Sequence, residues 1–300
     1  MKFHREEAPP AGGRNGGKMR LGVNGPFQVS DPEEWVNELR RFHLSAAVLP
    51  FEGWVEDAVK KNWFDTIRKY RIPIGEVGIW RNMIAPDEKE RKEAIEYSIY
   101  RLGLAEEIGA GCCVNTCGSR GENWAGYYPD NFAGDTYAMI VDTIRHIVDA
   151  VKPKHTSFTL EPGSWIWPDS PDSYLKLMKD IDRKEVGVHL DACNMINSMD
   201  RYIHRDDFLR ECYQKLGPYI KSIHVKDICL GEELPCCLRE GIPGRGEMNF
   251  KLMMELSEKL GSDIPVFVEH MEKYAEYEEA LETVRRAAGR AGVHIRDFGE

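Results

Sequence analysis

From Met19 onward, short apolar runs rich in β-branched residues alternate with longer amphipathic stretches. Eight runs have the length and composition of buried strands: 20–24, 45–50, 73–79, 112–116, 156–161, 186–191, 220–225 and 264–269. Eight further stretches show helical spacing of their apolar residues: 32–43, 55–70, 88–109, 134–151, 171–181, 205–216, 250–260 and 275–290. Capping residues beside Pro32 and Pro171 mark two of the helix starts. The pattern predicts βα units around a parallel sheet.

The number of βα units predicts an α/β fold of the (β/α)8 TIM-barrel type. An open doubly wound sheet is the alternative, but the turn after the first strand, LGVNGPFQVS, lacks the GxGxxG pattern typical of such sheets. A length of 300 residues is ordinary for one barrel. We expect residues 19–300 to form a single catalytic domain. Residues 1–18, rich in glycine, proline and charge, are expected to be a flexible lead.

Four side chains that can bind a metal stand at the ends of predicted strands five to eight: Glu161, Asp191, His224 and Glu269. Consecutive barrel strands are neighbours, so these residues would line one half of the mouth at the C-terminal ends of the strands. In each strand, placing the candidate ligand inside the barrel turns its aliphatic neighbours toward the helices. This shared parity favours one common site over four separate caps or surface ion pairs.

Three carboxylates and one imidazole form a hard, mainly oxygen ligand set with about three negative charges. Such a set favours a divalent cation, with Mn2+ expected and Mg2+, Co2+ or Zn2+ as alternatives. The adjacent pairs Cys112–Cys113 and Cys236–Cys237 lack the two-residue spacing of zinc knuckles. We therefore expect the eight cysteines to be reduced thiols of a cytoplasmic protein.

The amino-acid composition indicates which classes of binding partner the protein favours. Values of 42% hydrophobic and 30% charged residues are typical of a globular protein. A net charge of -10 disfavours binding to nucleic acid, because carboxylates repel phosphates. No apolar run approaches the length of a membrane span, so no membrane partner is expected. We expect a small-molecule substrate, and a homo-oligomer is compatible with the sequence.

The segments LEPG, HLDACN, HVKD, PGRGEMNF and FVEH, in this order and at barrel spacing, resemble the xylose isomerase-like sugar isomerase/epimerase superfamily. That superfamily includes ketose 3-epimerases, hydroxypyruvate isomerase, inosose dehydratase and the catalytic subunits of C-glycoside deglycosidases. The resemblance implies a divalent-metal-dependent enzyme that isomerises or epimerises a sugar or polyol through a metal-stabilised enediolate. It also implies that Glu161 and Glu269 exchange the substrate proton besides binding the metal.

The resemblance further indicates which residues contact the substrate. His189 and Arg245 would hold substrate hydroxyls or the developing oxyanion, although His189 could instead orient Asp191. The glycines and the proline of residues 241–246 would hold Arg245 toward the mouth. Because loops this long are usually functional, we expect the seventh loop, residues 228–249, to close over the substrate.

Lys226 and Asn194 are two more candidates for substrate binding. Lys226 shares the inward parity of His224 and could polarise a carbonyl, but a surface pair with Asp227 is equally compatible with the sequence. Asn194 stands where several epimerases of the superfamily carry a histidine. This departure weakens the case for simple 3-epimerisation of a free ketohexose.

Aromatic side chains near the strand ends would line the mouth. Trp124 is the candidate for substrate contact, accompanied by Trp54, Trp80, Trp165 and Trp167. Such rings stack on sugar faces and could equally accept a flat aglycone. Glu76 and Asn115 are candidates for the site wall, and His270 is expected to face a helix or a loop.

Three alternative functions stay open. A lyase of the same superfamily would also begin by removing an α-proton, and would then dehydrate an oxidised sugar or cleave its C-glycosidic bond. A nuclease related to endonuclease IV shares the barrel but needs extra ligands for three zinc ions, and this chain has only nine histidines. A non-catalytic binding protein would need no such ligand quartet.

Overall fold

The computed structural model describes residues 18–300 except positions 26, 28 and 262. The predicted flexible lead lies outside this range apart from Lys18, which begins the first strand. In the described part of the chain the strands are β1 Lys18–Asn24, β2 Ala47–Val48, β3 Ile74–Gly78, β4 Cys112–Asn115, β5 Phe158–Leu160, β6 Val186–Leu190, β7 Ile220–Val225, β8 Asp227–Leu230, β9 Leu238–Gly241, β10 Pro265–Glu269 and β11 His294–Ile295.

The strand order forms a closed barrel. Parallel pairing runs β1-β10-β7-β6-β5-β4-β3-β2, and the ring closes where the backbone N–H groups of Ser45 and Ala46 donate to the Leu21 carbonyl at 2.9 and 3.2 Å. The short β11 pairs with β1, while β8 and β9 form a separate antiparallel hairpin in the seventh loop. Because the barrel strands are parallel, their C-terminal ends open on one rim.

Helices cover the outside of the barrel. Those that the structure describes are α1 Pro32–Arg41, α2 Asp57–Tyr70, α3 Glu88–Ile108, α4 Gly134–Val151, α5 Pro171–Ile181, α6 Met199–Ile203, α7 Arg205–Leu216, α8 Phe250–Glu258 and α9 Tyr274–Ala291. Both predicted caps form. The Asp31 carboxylate accepts the N–H groups of Glu33 and Glu34, and the Ser170 hydroxyl accepts that of Ser173. These bonds satisfy N–H groups that the first turn leaves without an intrahelical partner.

The predicted α/β TIM barrel is confirmed, and every predicted strand and helix forms with ends that differ by at most two residues. The sequence pattern did not predict the β8–β9 hairpin, the short α6 or β11. These elements are too short to show a periodic apolar pattern. In the described residues, no helix is both long and apolar enough to cross a membrane.

Strand alternation places the candidate ligands inside the barrel. Each candidate ligand has an aliphatic neighbour in its own strand that is almost fully buried. These neighbours belong to the hydrophobic core between the barrel and the helices: Leu160, Leu190, Val225 and Val268. Glu161, Asp191, His224 and Glu269 therefore face the opposite side of the sheet, toward the barrel axis.

Candidate active site

The four predicted metal ligands meet at the C-terminal rim of the barrel. Glu161 and Asp191 follow β5 and β6 directly, His224 lies in β7, and Glu269 ends β10. One ligand atom from each residue lies within 4.8 Å of the others, and all four side chains are buried. The strands deliver these side chains to one point because β5, β6, β7 and β10 are consecutive neighbours in the barrel. We call these four residues the ligand cluster.

The ligand cluster fits a divalent cation. His224 Nδ1 and Glu269 Oε1 lie 2.7 Å apart, and Lys226 Nζ lies 2.9 Å from Asp191 Oδ2. Despite these short distances, the three ligand atoms Asp191 Oδ2, His224 Nδ1 and Glu269 Oε1 make no hydrogen bond of acceptable geometry to a described residue. Buried polar atoms seldom stay without a partner, so converging atoms of this kind are typical of a metal site. Carboxylate oxygens and an imidazole nitrogen suit Mg2+ or Mn2+.

Lys226 lies within this cluster rather than on the surface. Its Nζ is 2.7 Å from Glu269 Oε1, 2.9 Å from Asp191 Oδ2 and 3.2 Å from Glu161 Oε1. The surface pair with Asp227, one of the two alternatives that the sequence left open, does not form, because both side chains are buried and Asp227 binds backbone groups of the seventh loop. A cation bound at Nδ1 would keep His224 neutral, and the three carboxylates and one ammonium would then leave about two negative charges, the charge that one dication neutralises.

Two asparagines hold the glutamates of the cluster. The Asn194 amide donates to Glu161 Oε1 at 2.7 Å, its backbone N–H donates to Asp191 at 2.9 Å, and its side-chain oxygen accepts from Lys226 at 3.2 Å. Asn24, at the end of β1, donates to Glu269 Oε2 at 3.2 Å. Asn194 was predicted to bind substrate, whereas Asn24 was missed because a single asparagine at a strand end is a weak signal.

A second group of polar residues lies beneath the ligand cluster. The Glu76 carboxylate is 3.0 Å from His224 Nε2 and 3.3 Å from His189 Nδ1. His189 Nδ1 also lies 2.7 Å from the Ser222 hydroxyl, and the rings of His189 and His224 pack edge to face with their centroids 3.9 Å apart. Glu76 thus holds His224 with its Nδ1 toward the cluster, as carboxylates behind metal-binding histidines commonly do.

A cavity of about 400 Å3 opens in front of the cluster. We call it the reaction chamber. Glu161 and Glu269 form part of its wall together with Asn194. Tryptophan side chains, including the predicted Trp124, supply its aromatic lining: Trp80, Trp124 and Trp165. Its size is within the usual range for pockets that bind small molecules.

Comparison with known families agrees with this geometry. Residues 30–287 match the family model described as a xylose isomerase-like TIM barrel. The chain belongs to this family. No curated protein matches its sequence.

Three solved structures illustrate how far the likeness extends. A xylose isomerase-like TIM barrel protein from Mycobacterium smegmatis, in complex with magnesium, is 16% identical with a TM-score of 0.66, over 92% of this chain and 97% of that one. The 3-keto-D-glucoside 4-epimerase of E. coli is 16% identical with a TM-score of 0.66, over 90% and 100%. The D-psicose 3-epimerase of Clostridium cellulolyticum is 15% identical with a TM-score of 0.64, over 91% and 98%. At these identities the likeness establishes the shared fold.

The charges of this xylose isomerase-like site stabilise one another. Burial raises the pKa of Glu161, but Lys226 and His224 together outweigh it and bring that pKa to about 2. Burial also opposes ionisation of Glu269, yet His224 and Lys226 hold its pKa well below the usual range. Burial and the neighbouring carboxylates raise the pKa of Asp191. Both glutamates are thus ionised at neutral pH and can accept a proton.

His189 and Arg245 are not where the sequence analysis placed them. His189 is fully buried below the cluster, contacts Glu76 rather than Asp191, and is not among the residues that line the reaction chamber. Arg245 points away from the mouth and forms a two-point ion pair with Glu279 of α9 at 2.9 and 2.6 Å. The prediction that the surrounding glycines aim Arg245 at the substrate is therefore corrected.

The glycines of residues 241–246 instead allow the backbone to bind the Asp227 carboxylate. One Asp227 oxygen accepts the N–H groups of Gly244 and Gly246, each at 2.8 Å, and the other accepts those of Ile228 and Met248 at 2.9 Å. Gly244 has a φ of 103°, and a Cβ on Gly246 would lie 2.4 Å from the Ile228 carbonyl oxygen. Only glycine fits such positions easily, and the turn carries the Arg245 side chain outward.

Of the remaining candidate residues, some line the reaction chamber and others stabilise the surrounding loops. Asn115 exchanges hydrogen bonds with the Arg81 backbone at 3.1 and 3.0 Å, so it fixes the loop after β3 and does not line the reaction chamber. His270 faces the seventh loop, as expected, with its ring 3.0 Å from Glu240. It also lines the reaction chamber, which the sequence analysis did not foresee. Outside the chamber wall, Trp54 packs on Tyr100 and Trp167 on Tyr137.

Proposed function

We propose that this protein is a divalent-metal-dependent sugar isomerase or epimerase, with residues 19–300 acting as one catalytic domain. One observation carries the proposal. Of the four cluster residues, Glu161 and Glu269 also line the reaction chamber, whereas Asp191 and His224 do not. Two carboxylates can therefore reach both a cation and a substrate carbon, which is the requirement for moving a proton beside a carbonyl.

Glu161, Asp191, His224 and Glu269 would hold the ion. A bound dication, Mn2+ by our expectation, would act as a Lewis acid that stabilises negative charge developing on substrate oxygens. The magnesium in the Mycobacterium smegmatis barrel supports a hard divalent cation. The donor set supports it independently, since it lacks the thiolates that favour softer ions.

The protein's own residues divide the remaining work. Asn194 anchors one oxygen of Glu161, and Asn24 anchors one oxygen of Glu269, so each carboxylate is oriented for proton exchange. One glutamate would take the α-proton of the sugar, and the other would return a proton to the carbon. Lys226 does not line the reaction chamber, and its ammonium would position Glu161 and Glu269 rather than contact the substrate. The aromatic lining would exclude water and stack on the sugar.

The kind of substrate is supported by the names of two structural neighbours, a 3-keto-D-glucoside 4-epimerase and a D-psicose 3-epimerase. The nuclease alternative is less well supported. The His and acidic groups of the described residues form two candidate metal clusters, which share His224, rather than the ligands of three separate ions.

The test is hydrogen exchange. The Mn2+-loaded protein is incubated in D2O with D-psicose, D-tagatose, D-fructose and a 3-keto-glucoside, and deuterium at the α-carbon is followed by NMR. We expect deuterium incorporation into at least one of these compounds, together with an epimer or isomer. An eliminated product would assign the lyase instead, and absence of exchange in all of them would contradict the proposal.

The glutamates are tested by isosteric variants. Glu161→Gln and Glu269→Gln should each lose about 10²-fold or more in kcat, because an amide cannot accept the proton. Their Mn2+ content should fall much less, because the amide oxygen still binds the ion. The exposed Glu96→Gln serves as the matched control. Wild-type turnover in either site variant would remove that glutamate from the proposed mechanism.

A further inference from the structure

A second cavity adjoins the reaction chamber. It measures about 630 Å3 and is here called the outer chamber. Ser164, Trp165 and Asn194 line both chambers. On the other side of the junction, Glu240 lines the outer chamber and lies 3.0 Å from the His270 ring, which lines the inner one. A molecule held at Glu161 and Glu269 can therefore extend past Trp165 into the outer chamber.

Hydrogen bonds hold the residues at the junction between the two chambers in place. The Ser164 hydroxyl donates to the Asn194 carbonyl at 2.8 Å, and Asn194 in turn holds Glu161. The Trp165 indole N–H donates to the Ala125 carbonyl at 2.8 Å, although the side chain is 47% exposed. With its polar edge already bonded, the exposed surface of this ring offers an apolar contact to a ligand.

The lining of the outer chamber is suited to an apolar group. Carbon-rich side chains of the seventh loop and the segment after β6 form much of its wall, together with the exposed ring of Tyr127: Ile196, Met199, Ile228 and Leu238. Its charged side chains already have partners. Arg239 pairs with Glu233, and Glu240 with His270. The side-chain oxygens of Asn197 and Ser198, which also belong to this wall, accept hydrogen bonds from Arg201, so a flat apolar substituent is a better match than a second sugar.

We propose that the substrate is a glycoside whose sugar ring carries a keto group, with this oxidised sugar in the reaction chamber and an apolar, aromatic aglycone in the outer chamber. This inference rests on the proposed function, because it takes the sugar to lie at Glu161 and Glu269. A free monosaccharide would leave the outer chamber unused.

The test is binding, so that it does not depend on turnover. Calorimetry with the Mn2+-loaded protein compares 4-nitrophenyl β-D-glucopyranoside with D-glucose, cellobiose and 4-nitrophenol. We expect the aryl glucoside to bind at least about tenfold more tightly than each of the other three, because only it places a sugar in the reaction chamber and an apolar ring in the outer chamber. Equal affinity for glucose or cellobiose would overturn the aglycone assignment. Equal affinity for 4-nitrophenol would show that no sugar is held, which contradicts the proposed function instead.

Variants locate the aglycone. Leu238→Trp fills the outer chamber and should remove the preference for the aryl glucoside over glucose, while glucose binding stays unchanged. Leu234→Trp is the matched control, because Leu234 lies in the same loop but is 95% exposed and does not line the chamber. Tyr127→Ala, at an exposed position that cannot upset the core, should weaken the preference severalfold. A preference that survives both Leu238→Trp and Tyr127→Ala would overturn the proposal.

Discussion

At the scale of single residues, the site depends on opposite charges that are buried together. Lys226 contacts three carboxylates of the ligand cluster, and Glu76 contacts His224 from below. Each of these charges would be costly to bury alone, and each has partners at hydrogen-bond distance. The net charge of the cluster is therefore set by a few contacts. Making that charge more negative should tighten metal binding, and making it less negative should weaken it.

Lys226→Met tests this balance. Removing the ammonium leaves three carboxylates without their internal cation, so the chelator-treated protein should lose about 3 kcal/mol of stability. Mn2+ binding should become at least about tenfold tighter, because the cluster is more negative. Thermal unfolding and calorimetry measure the two effects. The matched control is Lys221→Met, a change on β7, the strand that directly precedes Lys226, at a position outside the cluster. Unchanged Mn2+ affinity in Lys226→Met would show that Lys226 does not act on the ion.

Glu76→Gln tests the positioning of His224. The substitution keeps the size of the side chain but removes the negative charge next to His224 Nε2. We expect Mn2+ affinity to fall about 10- to 100-fold, the usual effect of losing a partner behind a metal-binding histidine. Equilibrium dialysis measures the affinity, and circular dichroism confirms the fold. Glu76→Asp, which restores the charge, should recover part of the affinity. An affinity equal to that of the wild type in Glu76→Gln would contradict this role.

At the scale of elements, the seventh loop is organised around one carboxylate. Asp227 begins β8 and accepts four backbone N–H groups, two of them from the glycine turn that follows β9. This arrangement holds the hairpin beside the outer chamber and leaves Arg245 on the surface with Glu279. The loop is therefore held by buried hydrogen bonds at its base, and the surface ion pair contributes little.

The two kinds of contact in this loop are compared by substitution. Asp227→Asn should lower the free energy of unfolding by about 2 kcal/mol or more, because an amide cannot accept all four N–H bonds and leaves buried groups unpaired. Trypsin should then cut the loop faster at Arg239 or Arg245. Arg245→Ala should change stability by less than about 1 kcal/mol and leave turnover unchanged. A large loss of kcat/KM in Arg245→Ala would restore the role in substrate binding that the sequence suggested.

At the scale of the whole molecule, the ligand cluster joins four neighbouring strands of the barrel. Its residues come from segments that lie 108 positions apart, from Glu161 to Glu269. The cluster exists only when β5, β6, β7 and β10 are assembled. A cation bound there stabilises the folded state alone, by an amount that grows with the logarithm of the ratio of its free concentration to its Kd.

Metal should therefore raise the thermal stability of the entire barrel. Mn2+ at about 100 times its Kd should add about 2.7 kcal/mol, or roughly 5 °C in Tm, and a chelator should reverse the gain. Asp191→Asn should lower the metal-dependent increase, whereas Asp207→Asn, on the exposed part of α7, should retain it. If the wild-type Tm is independent of Mn2+, Mg2+, Co2+ and Zn2+, the ligand assignment is wrong.

The sequence predicted the barrel because its signals are local and repeated. Apolar runs such as 186–191 and caps such as Ser170 each belong to one element and depend on nearest neighbours along the chain. The convergence of the four ligands also followed from local information, since strand parity and strand order fix which side chains meet. Asn194 was a candidate for substrate contact because it lies three residues after Asp191 in a segment that resembles the superfamily, whereas its hydrogen bond to Glu161 came from the structure.

The tertiary structure decided what depends on distant partners. Arg245 is directed outward because Asp227 and Glu279 hold the turn and its side chain, at separations that no sequence period reveals. Glu76 meets His224 across the barrel interior, 148 positions along the chain, so its role required the closed ring. Hydrophobic periodicity fixes which face of an element is buried. The partners that a polar side chain finds inside the barrel are fixed only when all the strands are in place.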